Sequence, residues 1–265
     1  MNRCLNIAHR GASAYCPENT MAAFARAVEL GATAIETDVQ MTSDGQLVLI
    51  HDESLERTTG LPKLVKDVTL EELRRLDAGS WFDPAFRGER IPTLRELLEL
   101  VESGPLQVNL ELKNGVVRYP GLEEAVIEEV RRFGMSARVI LSSFNHYSLV
   151  HCKRIAPDIR TGVLYMEGLY EPWDYAARIG ADALHPYHYA VMPEWVKKAA
   201  ERRIACHPFT VNEPDEMRRL LAAGVAGIIT DYPDRLAKLL EESRADAESH
   251  AVHGGEVHEK EGRDG

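Results

Sequence analysis

The sequence has no excess of positive charge. Its 31 Lys and Arg stand against 42 Asp and Glu, for a formal net charge of −11. With no basic stripe to displace counterions from a phosphate backbone, the composition argues against a nucleic-acid binder. Part of the imbalance is peripheral: eight acidic and three basic residues lie between Glu241 and Gly265, so this tail carries −5 and the remainder −6. Long apolar runs are lacking too, and with them any segment expected to span a bilayer. The chain runs from Met1 almost directly into an apolar strand at Leu5, which leaves no room for a secretory signal. The expectation is therefore a cytoplasmic protein. Cysteine is scarce: Cys4, Cys16, Cys152 and Cys206 show no CxxC spacing, and reduced thiols fit better than a disulfide framework.

What the chain does have is length and alternation. At 265 residues, 45% of them apolar, it can bury a sizeable core. Short β-branched runs alternate with amphipathic helical segments, as in a parallel α/β architecture. Nine strand candidates can be read: Leu5–His9, Thr33–Gln40, Gln46–His51, Gln107–Lys113, Arg138–Ser143, Arg160–Tyr165, Ala183–His185, Ile204–Phe209 and Ala226–Thr230. Asp44-Gly45 makes a tight turn between the second and third, too short for a parallel crossover. Those two runs are read as an antiparallel hairpin with His51 roughly opposite Glu36, which leaves eight strands for a TIM (β/α)8 barrel. Polar residues gathered at the C-terminal ends of successive strands favour the barrel over a doubly wound sheet. Residues 1–243 form the barrel in this reading, with a small insertion after the third strand at 52–88. Residues 244–265, without apolar periodicity, are expected to be a disordered acidic tail.

The residues able to do chemistry sit at strand ends. Glu36 and Asp38 are two apart on a strand and share a face. At a barrel mouth such a pair calls for a hard divalent cation, although the same spacing also fits a surface strand with alternating polar residues. Glu111 and Lys113 repeat the spacing, adding a third carboxylate and an ammonium for a phosphate oxygen; Asn109 shares their parity. His9 and His51 can exchange protons near neutral pH, and Arg10 offers a charged fork for a phosphate. Pro17-Glu18-Asn19-Thr20 reads as a helix cap, with Glu18 and Asn19 bracing the site.

As an ordered set, these motifs resemble the glycerophosphodiester phosphodiesterase family from about Leu5 to Leu240. The matching pieces are His9-Arg10-Gly11, Pro17-Glu18-Asn19-Thr20, Glu36-Thr37-Asp38-Val39, Asp44-Gly45, His51-Asp52, Arg57-Thr58-Thr59-Gly60, Ile91-Pro92-Thr93-Leu94, Glu111-Leu112-Lys113, Ser142-Ser143-Phe144 and Thr230-Asp231-Tyr232-Pro233. The resemblance implies a TIM barrel and one divalent cation, Mg or Ca, held by Glu36, Asp38 and Glu111. It implies an acid–base pair in His9 and His51 and phosphate contacts from Arg10 and Lys113. The implied reaction is hydrolysis of small glycerophosphodiesters, such as glycerophosphocholine or glycerophosphoethanolamine, to glycerol 3-phosphate and an alcohol. One departure stands out: family members often carry Trp where this chain has Phe209. His185 and Tyr187 are further candidates for glycerol or alcohol contacts. Two alternatives stay open: a same-barrel enzyme for lysophospholipids or phosphoinositide headgroups, which an apolar groove near Trp81, Phe82 and Phe86 would support, and a non-catalytic binder of phosphorylated metabolites. No stable membrane insertion is expected, and a homo-oligomer is left open.

Overall fold

The alternation of strand and helix closes into a ring in the computed structural model, which describes residues 4–254 and side chains as far as Ala245. Its strands are β1 (Leu5–His9), β2 (Ala34–Met41), β3 (Leu47–Leu49), β4 (Gln107–Leu112), β5 (Val139–Ser143), β6 (Arg160–Tyr165), β7 (Ala183–Pro186), β8 (Ala205–Cys206) and β9 (Gly227–Thr230). Eight of them run parallel in the order β8-β7-β6-β5-β4-β2-β1-β9. The regular part of β8 is shorter than the expected Ile204–Phe209 because Pro208 has no N–H to give. Hydrogen bonding nevertheless continues on both sides of it. The Phe209 N–H donates to the Pro186 carbonyl (3.1 Å), and the Ala226 and Ile229 N–H groups donate to the Cys206 and Pro208 carbonyls (both 3.0 Å). These bonds join the two ends of the row and complete a TIM barrel.

β3 lies off this ring, antiparallel to β2, with Val39 opposite Leu49. The turn has three residues, not two: the Thr42 N–H reaches the Gln46 carbonyl at 3.0 Å, and Gly45 takes the left-handed φ of 76° that such a turn requires. The register is consequently one residue away from the expected one, and its continuation sets His51 opposite Thr37 instead of Glu36.

Helices cover the outside of the ring. The first, Met21–Glu29, starts directly after the Pro17–Thr20 cap: Asn19 has a φ of 55° and Thr20 is the capping residue, its hydroxyl accepting from the Ala23 N–H. Leu94–Val101 is capped by a reciprocal Thr93–Glu96 pair, which leaves Pro92 outside the helix. Its Leu94, Leu97, Leu98 and Val101 join Phe24, Val39, Leu110 and Leu112 in the largest apolar cluster. At about 1.5–3 kcal/mol for each large side chain buried, this face accounts for most of what holds the helix to the barrel.

Inside the ring the period of two separates floor from mouth. Ile7, Ala34 and Ile229 pack together low in the barrel. His185 and His207 are buried and hydrogen-bonded to each other at 3.1 Å. The His185 ring fills the space over Gly162, where an added Cβ would sit 2.5 Å from its Nε2. His185 is therefore part of the core, contrary to the expectation that it contacts ligand.

The insertion builds its own small cluster from Leu55, Val65, Val68, Leu73 and Ala78 against Val48, Ile50 and Ile91. Trp81, Phe82 and Phe86 stack edge-to-face on one another, and the Trp81 indole N–H donates to the Ala78 carbonyl at 2.8 Å. Trp81 is partly exposed, so these aromatics form a surface cluster beside the insertion's core. The last helix, Pro233–Gly254, continues well past Ser243, where disorder had been expected. Residues 234–253 contain neither Gly nor Pro, so nothing local stops it before Gly254. The remainder of the expected tail, 255–265, lies outside the described residues. Among the described residues no helix is long and apolar enough to cross a membrane.

Candidate active site

Strands β1, β2 and β4 end side by side, and their last inward-facing positions hold the acidic and basic groups. Register pairs His9 with Glu36, Glu36 with Asn109, and Asp38 with Glu111. One carboxylate oxygen from each of Glu36, Asp38 and Glu111 lies within 4.8 Å of the others, and all three residues are buried. Burial, reinforced by Asp38 and Glu111, pushes the Glu36 carboxyl well above its ordinary range. Burial and the neighbouring Asp38 push Glu111 up to about 7. Asp38 goes the other way: burial opposes its charge, but Arg10 and Lys113, with an Asn19 hydrogen bond, keep it ionised.

Two cations flank the triad. Lys113 Nζ is 2.9 Å from Glu111 Oε1 and 3.8 Å from Asp38 Oδ1. Arg10 Nε lies 3.5 Å from Asp38 Oδ2, and the Arg10 backbone N–H donates to Glu36 Oε2 at 3.0 Å. That backbone bond depends on an unusual turn. Arg10 has a φ of 55° and Gly11 one of 84°, and a Cβ on Gly11 would lie 2.6 Å from the Ala23 carbonyl carbon. Glycine is required there.

Each histidine is held by a carboxylate through Nδ1. Asp231, at the end of β9, accepts from His9 at 2.6 Å, from Ser13 Oγ at 2.9 Å and from Asn212 Nδ2 at 2.6 Å. Asp52 lies 2.7 Å from His51 Nδ1 and also accepts from Arg57 Nε at 2.6 Å. Although burial opposes it, Asp231 is lowered to about 2 by His9, and Asp52 to about 2 by Arg57 and His51. Ionised carboxylates only accept, so each Nδ1 carries the proton and each Nε2 is left free. Burial also lowers the His51 imidazole below its ordinary range.

A cavity of about 260 Å³ joins these groups to an apolar wall. His9, Arg10, Glu36, His51, Asn109 and Glu111 line one side; Phe144, Leu164, Met166, Tyr187 and Phe209 line the other. All the residues singled out from the sequence for metal, phosphate and proton transfer thus meet at one mouth, and Tyr187 joins them. The sequence motifs contained Asp231 and Asp52 without a role for either. Gln40 was missed altogether. Its amide donates to the carbonyls of Ile50, His51 and Asp52 (2.7–3.1 Å), and its Oε1 accepts from the Tyr119 hydroxyl at 2.7 Å. Its position on β2, in phase with Glu36 and Asp38, was the available signal. Asn19 does brace the site: its Nδ2 donates to Asp38 at 2.9 Å.

Residues 9–235 match the sequence profile of the glycerophosphoryl diester phosphodiesterase family. The chain is 50% identical over 238 residues to a glycerophosphodiester phosphodiesterase of Caldanaerobacter subterraneus subsp. tengcongensis, covering 90% of this chain and 98% of that one. It is 36% identical to a glycerophosphodiester phosphodiesterase of Bacillus subtilis, covering 90% and 87%. Among solved structures, an Oleispira antarctica phosphodiesterase in complex with the product sn-glycerol-3-phosphate superimposes with a TM-score of 0.81 at 30% identity, covering 89% of this chain and 96% of that one. A glycerophosphodiester phosphodiesterase of Agrobacterium tumefaciens gives 0.78 at 29% identity, covering 90% and 100%. This chain belongs to the glycerophosphoryl diester phosphodiesterase family.

Proposed function

We propose that the protein hydrolyses glycerophosphodiesters to glycerol 3-phosphate and an alcohol, in the cytoplasm, with one divalent cation, Mg or Ca. The observation that supports this most strongly is the buried carboxylate triad flanked by two carboxylate-aligned imidazoles. Small diesters such as glycerophosphocholine and glycerophosphoethanolamine suit a cavity of about 260 Å³. The product bound by the Oleispira antarctica relative is the one this reading requires.

The residues fit a hard cation. They offer three oxygen donors in one place, Asp38 Oδ1 has no hydrogen-bond partner, and two of the three carboxyls resist ionisation until positive charge arrives. Glu36, Asp38 and Glu111 would hold it, and when bound it would polarise a phosphoryl oxygen. The chain supplies the rest. Arg10 and Lys113 bind the phosphate and counter the charge that develops on it. His9 and His51 turn their Nε2 atoms to the attacking and leaving oxygens: one ring, unprotonated at Nε2, takes a proton, and the other, protonated on both nitrogens, gives one. Asp231 and Asp52 keep those rings in the productive tautomer, as a buried aspartate does for the histidine of a serine protease.

Phosphodiester cleavage measured by release of glycerol 3-phosphate tests the reading. Activity should vanish on exhaustive chelation and return with Mg or Ca. Undiminished turnover in chelator, or in Glu36→Ala or His51→Ala, overturns it. A second reading rests on the partly exposed apolar wall, where Phe144 and Met166 could take the acyl chain of a lysophospholipid. Release of choline from lysophosphatidylcholine at a rate matching that from glycerophosphocholine would favour it.

A further inference from the structure

The mechanism above leaves Asn109 without a task. It lies two residues before Glu111 on β4 and is the register partner of Glu36. It is 3% exposed, lines the cavity beside His9, His51 and Glu111, and its Oδ1 has no hydrogen-bond partner. A buried amide oxygen without a donor is rare in a folded protein, because the group has given up water and gained nothing. Nearby amides show what a structural role looks like. Asn19 is bonded to Asp38 and Thr37, Asn114 to Glu123 and Ser148, and Gln40 to three carbonyls and Tyr119. Asn109 has the burial of these residues with its acceptor unused.

The chemistry of the amide narrows the ligand. Whichever way it is turned, it offers a carbonyl acceptor beside an N–H donor, which complements a hydroxyl. A phosphate oxygen has Arg10 and Lys113 to meet it. Tyr187 and Thr210, also in the cavity lining, carry hydroxyls, but neither is a buried group left without a partner as Asn109 is. We propose that Asn109 binds a free hydroxyl on the carbon next to the scissile phosphate ester, the secondary hydroxyl of a glycerol unit. It thereby selects diesters that carry this hydroxyl over those in which it is missing or substituted. The proposal rests on the phosphodiesterase reading and names the group by which that site recognises its substrate.

The test compares wild-type protein with Asn109→Leu, of similar branched shape, and Asn109→Ala. The substrates are glycerophosphoethanolamine and bis(4-nitrophenyl) phosphate, a diester with no such hydroxyl. The ratio of the two kcat/KM values should fall at least about tenfold in both variants, since a site built around a hydroxyl discriminates by that bond. The Tm of Asn109→Leu should hold or rise, because an unpaired buried oxygen is removed. A ratio within twofold of wild type overturns the proposal, whether activity falls on both substrates or on neither. As a measurement independent of the variants, glycerol 3-phosphate should bind the wild-type protein at least about tenfold more tightly than ethyl phosphate; equal affinities overturn the proposal. A wild-type protein that cleaves the nitrophenyl diester but no glycerophosphodiester instead defeats the functional reading beneath it.

Discussion

Cation binding at the carboxylate triad should be coupled to proton release, with a size set by Glu111. Two carboxylates no more than 4.8 Å apart repel by at least about 3 kcal/mol at an effective dielectric constant of 20. The rise of Glu111 from 4.5 to about 7, caused by burial and Asp38, also corresponds to about 3 kcal/mol. In the cation-free protein the folded state holds this proton more tightly than the unfolded chain does. Its contribution to stability is therefore complete below about pH 4.5, shrinks as pH rises, and is gone above about pH 7. The cation must displace that proton. Its apparent Kd should tighten by about tenfold per pH unit from 5 to 7 and level off above, with Glu36, shifted in the same direction, adding to the slope. Calorimetric titration of Mg or Ca in two buffers of different ionisation heat should find at least one proton released at pH 6, with Glu36 adding to it, and fewer at pH 8.5. Thermal unfolding with chelator should show the matching loss of stability toward alkaline pH. Affinity and proton release that do not change across this range would refute the placement of the cation between these side chains.

Three other outcomes follow from the same structure. Asp231→Asn replaces an acceptor by a group that can donate to His9 Nδ1, so kcat should fall by about a thousandfold or more with KM little changed, and a loss under tenfold would remove Asp231 from this role. His207 is lowered to about 4 by burial, so folding loses about 3 kcal/mol as pH falls from 6.5 through 4. Acid unfolding of His207→Asn should be correspondingly shallower, and an identical pH profile would show that this ring does not govern it. Gly11→Ala forces a Cβ to 2.6 Å from the Ala23 backbone at a φ of 84°, and should lower stability by about 2 kcal/mol or more in urea unfolding while releasing the Arg10 N–H from Glu36.

Much of this site was legible because strands impose a period of two. Glu36 with Asp38, and Glu111 with Lys113, had to share a face, and a hairpin too short for a crossover had to carry His51 back toward β2. What local sequence could not supply was partnership across distance. Asp231 is 222 positions from His9, and only closure of the ring brings them together. His185 has the same strand-end setting as His9, yet it lies one layer lower and meets His207, a difference of depth that residue type does not encode. The aromatic residues of the insertion were equally ambiguous in one dimension. The extra residue in the turn at Ser43 to Gly45 moved the register, because turn geometry and not hydrophobic pattern sets it. The continuation of the final helix past Ser243 had a simple signal, the absence of any breaker, which acidic composition obscured.

The contact between His9 and Asp231 joins the first strand to the end of the last. A nascent chain emerging from the ribosome would carry both histidines, Arg10, Lys113 and the three buried carboxylates long before Asp231, yet would have one imidazole unaligned. Competence therefore arrives late, when β9 docks between β1 and the β8 segment. Turnover in this enzyme is in effect a certificate of synthesis through to the last strand, and a chain cut short before Asp231 would bear nearly every functional group and do little with them.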